Sequence, residues 1–208
     1  MYQTRIQYAL DNFIMDQYFL PMSNFYHLKE EKDSGKSDLK LSINHENLCI
    51  YDFDNKKKCG FLRTEKTYGM QKSVDHIIFE NCSDEWKLHL IEMKSSVGYK
   101  TWLESIKPKV RTSYFTALAI AEFLGIDILI TNVRAYTTYE VEKFSLNETN
   151  PRAKVSHLGY AARDPKRDEW EKGKIFIQIG EEIMIPHTKI QMIKNPETGI
   201  LEGSLEIQ

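Results

Sequence analysis

The sequence predicts an α+β fold, a mixed sheet flanked by helices in an α/β sandwich. Three observations predict it: strand patterns gathered in the middle of the chain, one long helical run after them, and a return of strand patterns near the C-terminus. The 208 residues suit a single domain spanning 1–208. Hydrophobic residues make up 41% and charged residues 28%, which gives a folded chain enough apolar surface to bury.

Each element follows from local pattern. Ile6, Leu10, Phe13, Ile14, Tyr18 and Phe19 have helical spacing, so a helix is expected from about Thr4 to Leu20, stopped by Pro21. The polar run Lys29–Asp38 reads as a solvated loop. Leu39–Ile43 and Leu48–Phe53 then read as strands, with a turn at Asp54–Lys58. Val74–Glu80 and Trp86–Lys94 form the arms of a hairpin, with turn residues between them. A long helix is expected from Tyr99 to Leu124, with Gly125 as its C-terminal cap and Pro108 kinking it or opening its main part. Its second half is apolar nearly all round, which predicts deep packing. Ile126–Val133 reads as a buried strand. Beyond the polar, basic stretch Lys143–Lys174, strands are expected at Lys174–Ile179 and near Ile183–Ile193. The core therefore covers about 39–133, and a β-rich extension covers about 143–208.

Charge excludes some classes of function. With 28 Lys+Arg against 30 Asp+Glu, the net charge is −2, which rules out a histone-like polycation and an acidic tail protein. Local patches survive that average. Five basic residues between Arg152 and Arg167 (Arg152, Lys154, Arg163, Lys166, Arg167) face only Asp164, with His157 and Tyr160 among them. This segment suits a phosphate backbone, with Tyr160 stacking on a base, or else a solvated loop. No apolar run is long enough to span a bilayer, and the N-terminus is no secretory signal, so a cytoplasmic protein without membrane contact is expected. Cys49, Cys59 and Cys82 fit neither a disulfide framework nor a CxxC knuckle and read as buried free thiols. His27, His45 and His187 lack paired spacing, and no HExxH motif exists, so no zinc site is expected. No glycine-rich phosphate loop or GxSxG elbow is present.

The hairpin register carries the chemistry. If Asn81 pairs with Trp86 across a Cys82–Glu85 loop, Asp75 falls directly opposite Glu92. Opposed residues have Cβ atoms about 4.5–5.5 Å apart, and like charges there repel. Such a pair needs a proton or a cation between its members. Carboxylate oxygens suit Mg²⁺ or Mn²⁺, with the backbone carbonyl of Met93 as one more donor. Lys94 shares the face of Glu92, while His76 and His89 point the other way. A held metal would activate water and polarise a phosphoryl oxygen. Lys94 would orient that water, act as general base, or neutralise charge on the phosphate. The plainer alternative is a solvent-facing Asp–Glu–Lys cluster whose charges merely pair.

Asp75 followed by Glu92-Met93-Lys94 resembles the PD-(D/E)xK nuclease superfamily. The resemblance covers about half the chain and implies a restriction-endonuclease-like core. It implies a metal-dependent endonuclease acting on nucleic acid, DNA rather than RNA. Asp75 and Glu92 would be metal ligands and Lys94 the catalytic lysine. Val74 stands where the signature has Pro, and either Glu30 or Glu46 would be the further upstream acid of many members. Similar nucleases carry a polar residue on the following helix, where Lys107, Arg111 and Tyr114 share a face and Lys109 lies off it. That makes Lys107 or Arg111 a phosphate contact, with Arg163, Lys166 and Arg167 as further candidates for nucleic-acid binding. A homodimer would suit a duplex cutter, one site for each strand. The competing reading is an inactive nucleic-acid-binding or protein-interaction module on the same fold.

Overall fold

The structure is a computed structural model that describes residues 4–12, 18–32, 35–55, 69–83, 85–144, 165–178 and 180–207. Alternating residues on its strands feed two separate cores. On the hairpin strands β4 (His76–Cys82) and β5 (Glu85–Met93), Ile77, Phe79, Leu88 and Leu90 face one core. Ile78, Ile91 and Met93 face the other. A sheet buried on both faces needs a layer on each side.

The central layer is a six-stranded sheet of order β3-β4-β5-β7-β10-β9. Besides β4 and β5 it holds β3 (Glu46–Ile50) and β9 (Lys174–Gln178) at its edges and β7 (Val133–Tyr139) and β10 (Glu182–Gln191) inside. The pairs β3/β4, β4/β5 and β9/β10 are antiparallel, while β5/β7 and β7/β10 are parallel. Parallel strands need a crossover, and a helical run supplies it between β5 and β7. That run is α2 (Tyr99–Thr101), a π-helical turn at Trp102–Ile106, and α3 (Lys107–Leu124). Pro108 opens the main segment, where its missing N–H costs nothing. Gly125 closes it with φ +72°, the left-handed cap that glycine adopts without strain.

Helix α3 buries Val110, Tyr114, Ala117, Ala121 and Leu124 on the sheet, with Trp102, Phe144 and Trp170 beside them. Trp170 comes from α4 (Pro165–Glu171) and α1 (Arg5–Asn12) lies against α3. Phe115 and Phe123 are exposed, so α3 buries one stripe and is not covered all round. The opposite face of the central layer carries no helix among the described residues. A four-stranded sheet of order β1-β2-β12-β11 covers it. Its strands are β1 (Phe25–Lys32), β2 (Gly35–Ile43), β11 (Ile193–Lys194) and β12 (Leu201–Ile207). A short parallel pair, β6 (Ser96–Val97) with β8 (Val141–Glu142), extends the end of the β5/β7 ladder.

The α+β class holds, and four local expectations change. The first helix does not reach Leu20, whose N–H pairs with the Cys49 carbonyl in a β-bridge at 2.9 Å. The described part of the run expected as a solvated loop, 29–32 and 35–38, belongs to the paired strands β1 and β2, in which Lys29 stands across from Asp38. Among the described side chains of that run, none joins a core cluster, so its pattern resembles a loop. The strand expected at Ile126–Val133 begins only at Val133; Leu129 and Ile130 are exposed in the connection before it. The C-terminal extension is interleaved rather than appended, since β10 pairs with β7 and β12 pairs with β2. Among the described residues, no helix is long and apolar enough to cross a membrane.

Candidate active site

The β4–β5 ladder runs His76↔Ile91, Asn81↔Trp86 and Cys82↔Glu85. That is the register expected from the sequence, and the pairing of Cys82 with Glu85 carries the ladder into the stretch expected as loop. Asp75 lies one residue before β4, and its neighbours fix it from both sides. Phe53 N–H donates to the Asp75 carbonyl at 2.7 Å, and Val74 N–H donates to Ser113 Oγ of α3 at 2.8 Å. The side chain turns to β5, where Asp75 Oδ2 accepts the Met93 N–H at 2.6 Å.

Glu92 is fully buried at the C-terminal end of β5. Lys94 Nζ forms an ion pair with Glu92 Oε1 and donates to the Met93 carbonyl at 3.1 Å. Lys109 Nζ, reaching down from α3, lies 2.8 Å from Glu92 Oε1 and 3.5 Å from Asp75 Oδ1. Among the described residues, neither Glu92 oxygen has a hydrogen bond of good geometry, and ion pairs to Lys94 and Lys109 compensate its charge. The three oxygen sources expected as metal ligands, Asp75, Glu92 and the Met93 carbonyl, thus converge on two ammonium groups.

Electrostatics separate the two carboxyls. Burial, then the charge of Asp75, pushes Glu92 up to about 7 against the pull of Lys94 and Lys109. Burial would also raise Asp75, but Lys109, Lys94 and the Met93 N–H outweigh it and hold Asp75 below the ordinary carboxylate range. Lys109 is raised despite its own burial, because Glu92 and Asp75 favour its charged form and Asp54 adds to them. Two acids side by side with pKa values driven apart, closed by lysines, form a recognisable site pattern.

Comparison with protein-family models, curated proteins and solved structures gave no match.

Other expected residues lie elsewhere. Lys107 turns away from the carboxylates to α4, with Nζ 2.9 Å from both oxygens of Glu169. The lysine of α3 that reaches the site is Lys109, which helical spacing had set apart. The rotation of α3 is set by its buried face, and Ser113 and Lys109, four apart, point at Val74 and Asp75. Arg111 is half-buried on the same helix. Glu46 pairs with Asn81, five residues along β4 from His76, and Glu30 belongs to β1 in the other sheet, so neither upstream acid meets Asp75. Asp54, whose charge acts on Lys109, is the nearer acid; its place in a turn gave no sequence signal. Arg152, Lys154, His157, Tyr160 and Arg163 lie outside the described residues, and Lys166 and Arg167 fall in the first turn of α4. His76 stacks on Tyr51 and its Nδ1 accepts the Asp52 N–H at 3.2 Å.

Across the sheet, Glu92 registers with Thr137 and Thr137 with Lys189. Thr137 Oγ1 is 2.9 Å from His187 Nε2, and Lys189 Nζ lies over the Trp170 ring. This polar row continues the site along the carboxyl ends of β5 and β7.

Proposed function

We propose that this chain is a metal-dependent nuclease that hydrolyses phosphodiester bonds of nucleic acid, DNA rather than RNA, on a restriction-endonuclease-like core. The observation that supports it is the convergence of Asp75, Glu92 and the Met93 carbonyl on a buried point where positive charge is held. An antiparallel hairpin, a crossover helix and a parallel third strand carry that point, the order the resemblance implies.

The donor set fits a hard divalent cation. It consists of oxygens only, includes two acidic side chains, and is too buried to stay charged without a cation. A bound Mg²⁺ or Mn²⁺ would polarise a phosphoryl oxygen and lower the pKa of a water. The residues then divide the work. Asp75, held ionised by Lys109 and the Met93 N–H, is the permanent anionic ligand. Glu92, in its ionised form, would be the second carboxylate ligand. Lys94, partly exposed, is the group placed to meet the scissile phosphate and offset its developing charge. Lys109 keeps the carboxylate pair compensated between turnovers.

Purified protein incubated with plasmid and oligonucleotide substrates, with Mg²⁺ or Mn²⁺ and then with a chelator, tests this reading. Cleavage that needs the divalent ion and drops at least about 100-fold in each of Asp75→Ala, Glu92→Ala and Lys94→Ala is the expected result. Activity that survives all three substitutions would sink the assignment. A second reading, a module that binds without cutting, draws on Lys109 Nζ bridging both carboxylates as an ammonium would in a metal-free site. It predicts metal-independent binding and no cleavage.

A further inference from the structure

A second cluster of ligating side chains lies on the opposite face of the same hairpin, away from Asp75 and Glu92. His45, between β2 and β3, places Nδ1 2.7 Å from Glu80 Oε1 and 3.5 Å from Cys82 Sγ. Their ligating atoms all lie within 4.8 Å of one another. In a tetrahedral zinc site, bond lengths of about 2.0–2.3 Å put nitrogen and sulfur about 3.5 Å apart. The sulfur–nitrogen separation already fits, and the nitrogen–oxygen pair need open by only about 0.6 Å from its direct hydrogen bond.

We propose that His45, Glu80 and Cys82 form a site for Zn²⁺ that joins the two sheets. Imidazole, thiolate and carboxylate together favour zinc over the hard ions suited to the Asp75–Glu92 site. Glu80 is fully buried, and its second oxygen lies 3.0 Å from His89 Nε2, whose Nδ1 lies 3.0 Å from the Tyr136 hydroxyl. That buried Tyr–His–Glu chain fixes the carboxylate and points its other oxygen at His45, the outer-shell arrangement of metal sites. The His45 side chain is 40% exposed, so an ion has a way in and a fourth position open to water. The connection holding His45 carries the chain from the four-stranded sheet into the six-stranded one, so an ion there ties that passage to the β4–β5 turn. Lys87 Nζ, 3.8 Å from Glu80 Oε2 and partly exposed, opposes the ion and has to swing outward. The site stands independently of the nuclease reading, because it shares no residue with it.

The test uses the full chain stripped with a chelator and titrated with Co²⁺, then with Zn²⁺ in competition with a chromophoric chelator. One equivalent of Co²⁺ should give a thiolate charge-transfer band and tetrahedral visible absorption, both removed by Zn²⁺. Cys82→Ser should abolish the band. His45→Ala should weaken Zn²⁺ binding by about 100-fold or more, beyond the loss seen for outer-shell partners. Glu92→Gln should change neither. Glu80, buried among histidines, is a poor test because its variants can fail to fold; His45 is half-exposed, and its variant is checked by cooperative unfolding. No charge-transfer band, a band that persists in Cys82→Ser, or unchanged Zn²⁺ affinity in His45→Ala would each overturn the proposal.

Discussion

Lys109 holds two acids with one ammonium, and that contact, with Lys94, pulls Glu92 down against burial and the charge of Asp75. An opposite charge within about 4–6 Å shifts a carboxyl by about 1–3 units. Removing it in Lys109→Met should therefore raise Glu92 from about 7 by that amount, read from the side-chain carboxyl resonance of labelled glutamate across pH. Lys107→Met, whose ammonium rests on Glu169, should leave the titration where it was. Equal effects from both variants would show that Lys109 does not compensate the pair. At this scale the sequence offered good access to the grouping of Asp75, Glu92 and Lys94, because strand period and turn position fix cross-strand neighbours. It gave none to Lys109, because a helix has many candidate faces and only the sheet beneath selects one. His45, Glu80 and Cys82 were equally hidden. Glu80 and Cys82 sit on one strand arm with no motif spacing to His45, 35 residues upstream of Glu80.

Elements were legible where local physics decides them. The apolar arms and turn residues of β4–β5 specified their register, and Pro108 and Gly125 bounded the main helix. Of the β1–β2 hairpin only Leu39–Ile43 was legible as a strand, because the rest of β2 and the adjoining half of β1 are polar in sequence. Strand β12 was missed for a related reason: only Leu201 and Ile207 among its residues are buried, and its pairing with β2 bridges a long sequence separation. Its importance is testable. Ending the chain at Asn195 removes the parallel partner of β2 and strips Leu201 and Ile207 from the core between the sheets. Loss of two such side chains alone costs about 4–10 kcal/mol, comparable with the whole stability of a typical domain. The truncated chain should show no cooperative thermal transition by circular dichroism, and a transition at the full-length temperature would contradict this account of β12.

Across the molecule, buried titratable groups oppose one another. His187 lies among Trp102 and Trp170 beside Lys189, and burial, then the lysine charge, lowers it to about 3 from 6.5. Its contribution to stability is full above 6.5 and lost as pH falls toward 3. His89 is lowered by burial and acts in the same direction. Glu80 is pushed down from 4.5 to about 2, where its bonds to His89 and His45 outweigh burial, so its share is lost below 4.5. Glu92 has the reverse sign: raised from 4.5 to about 7, it favours the folded state at low pH and loses that share as pH rises through this window. Between pH 4.5 and 6.5 it offsets one histidine. Glu92→Gln should therefore steepen the acid loss of unfolding free energy there by about 1.4 kcal/mol per pH unit, measured by urea unfolding. Identical slopes in variant and parent would refute the raised Glu92. The sequence by itself determined the α+β class, the hairpin register and the acid pair, because these depend on residues near in the chain and on periods of 2 and 3.6. Only the tertiary structure decided which lysine closes the pair, what covers the second face of the central sheet, and that His45 meets Glu80 and Cys82. Those depend on long-range packing, where burial over the whole fold selects one arrangement from many that local pattern allows.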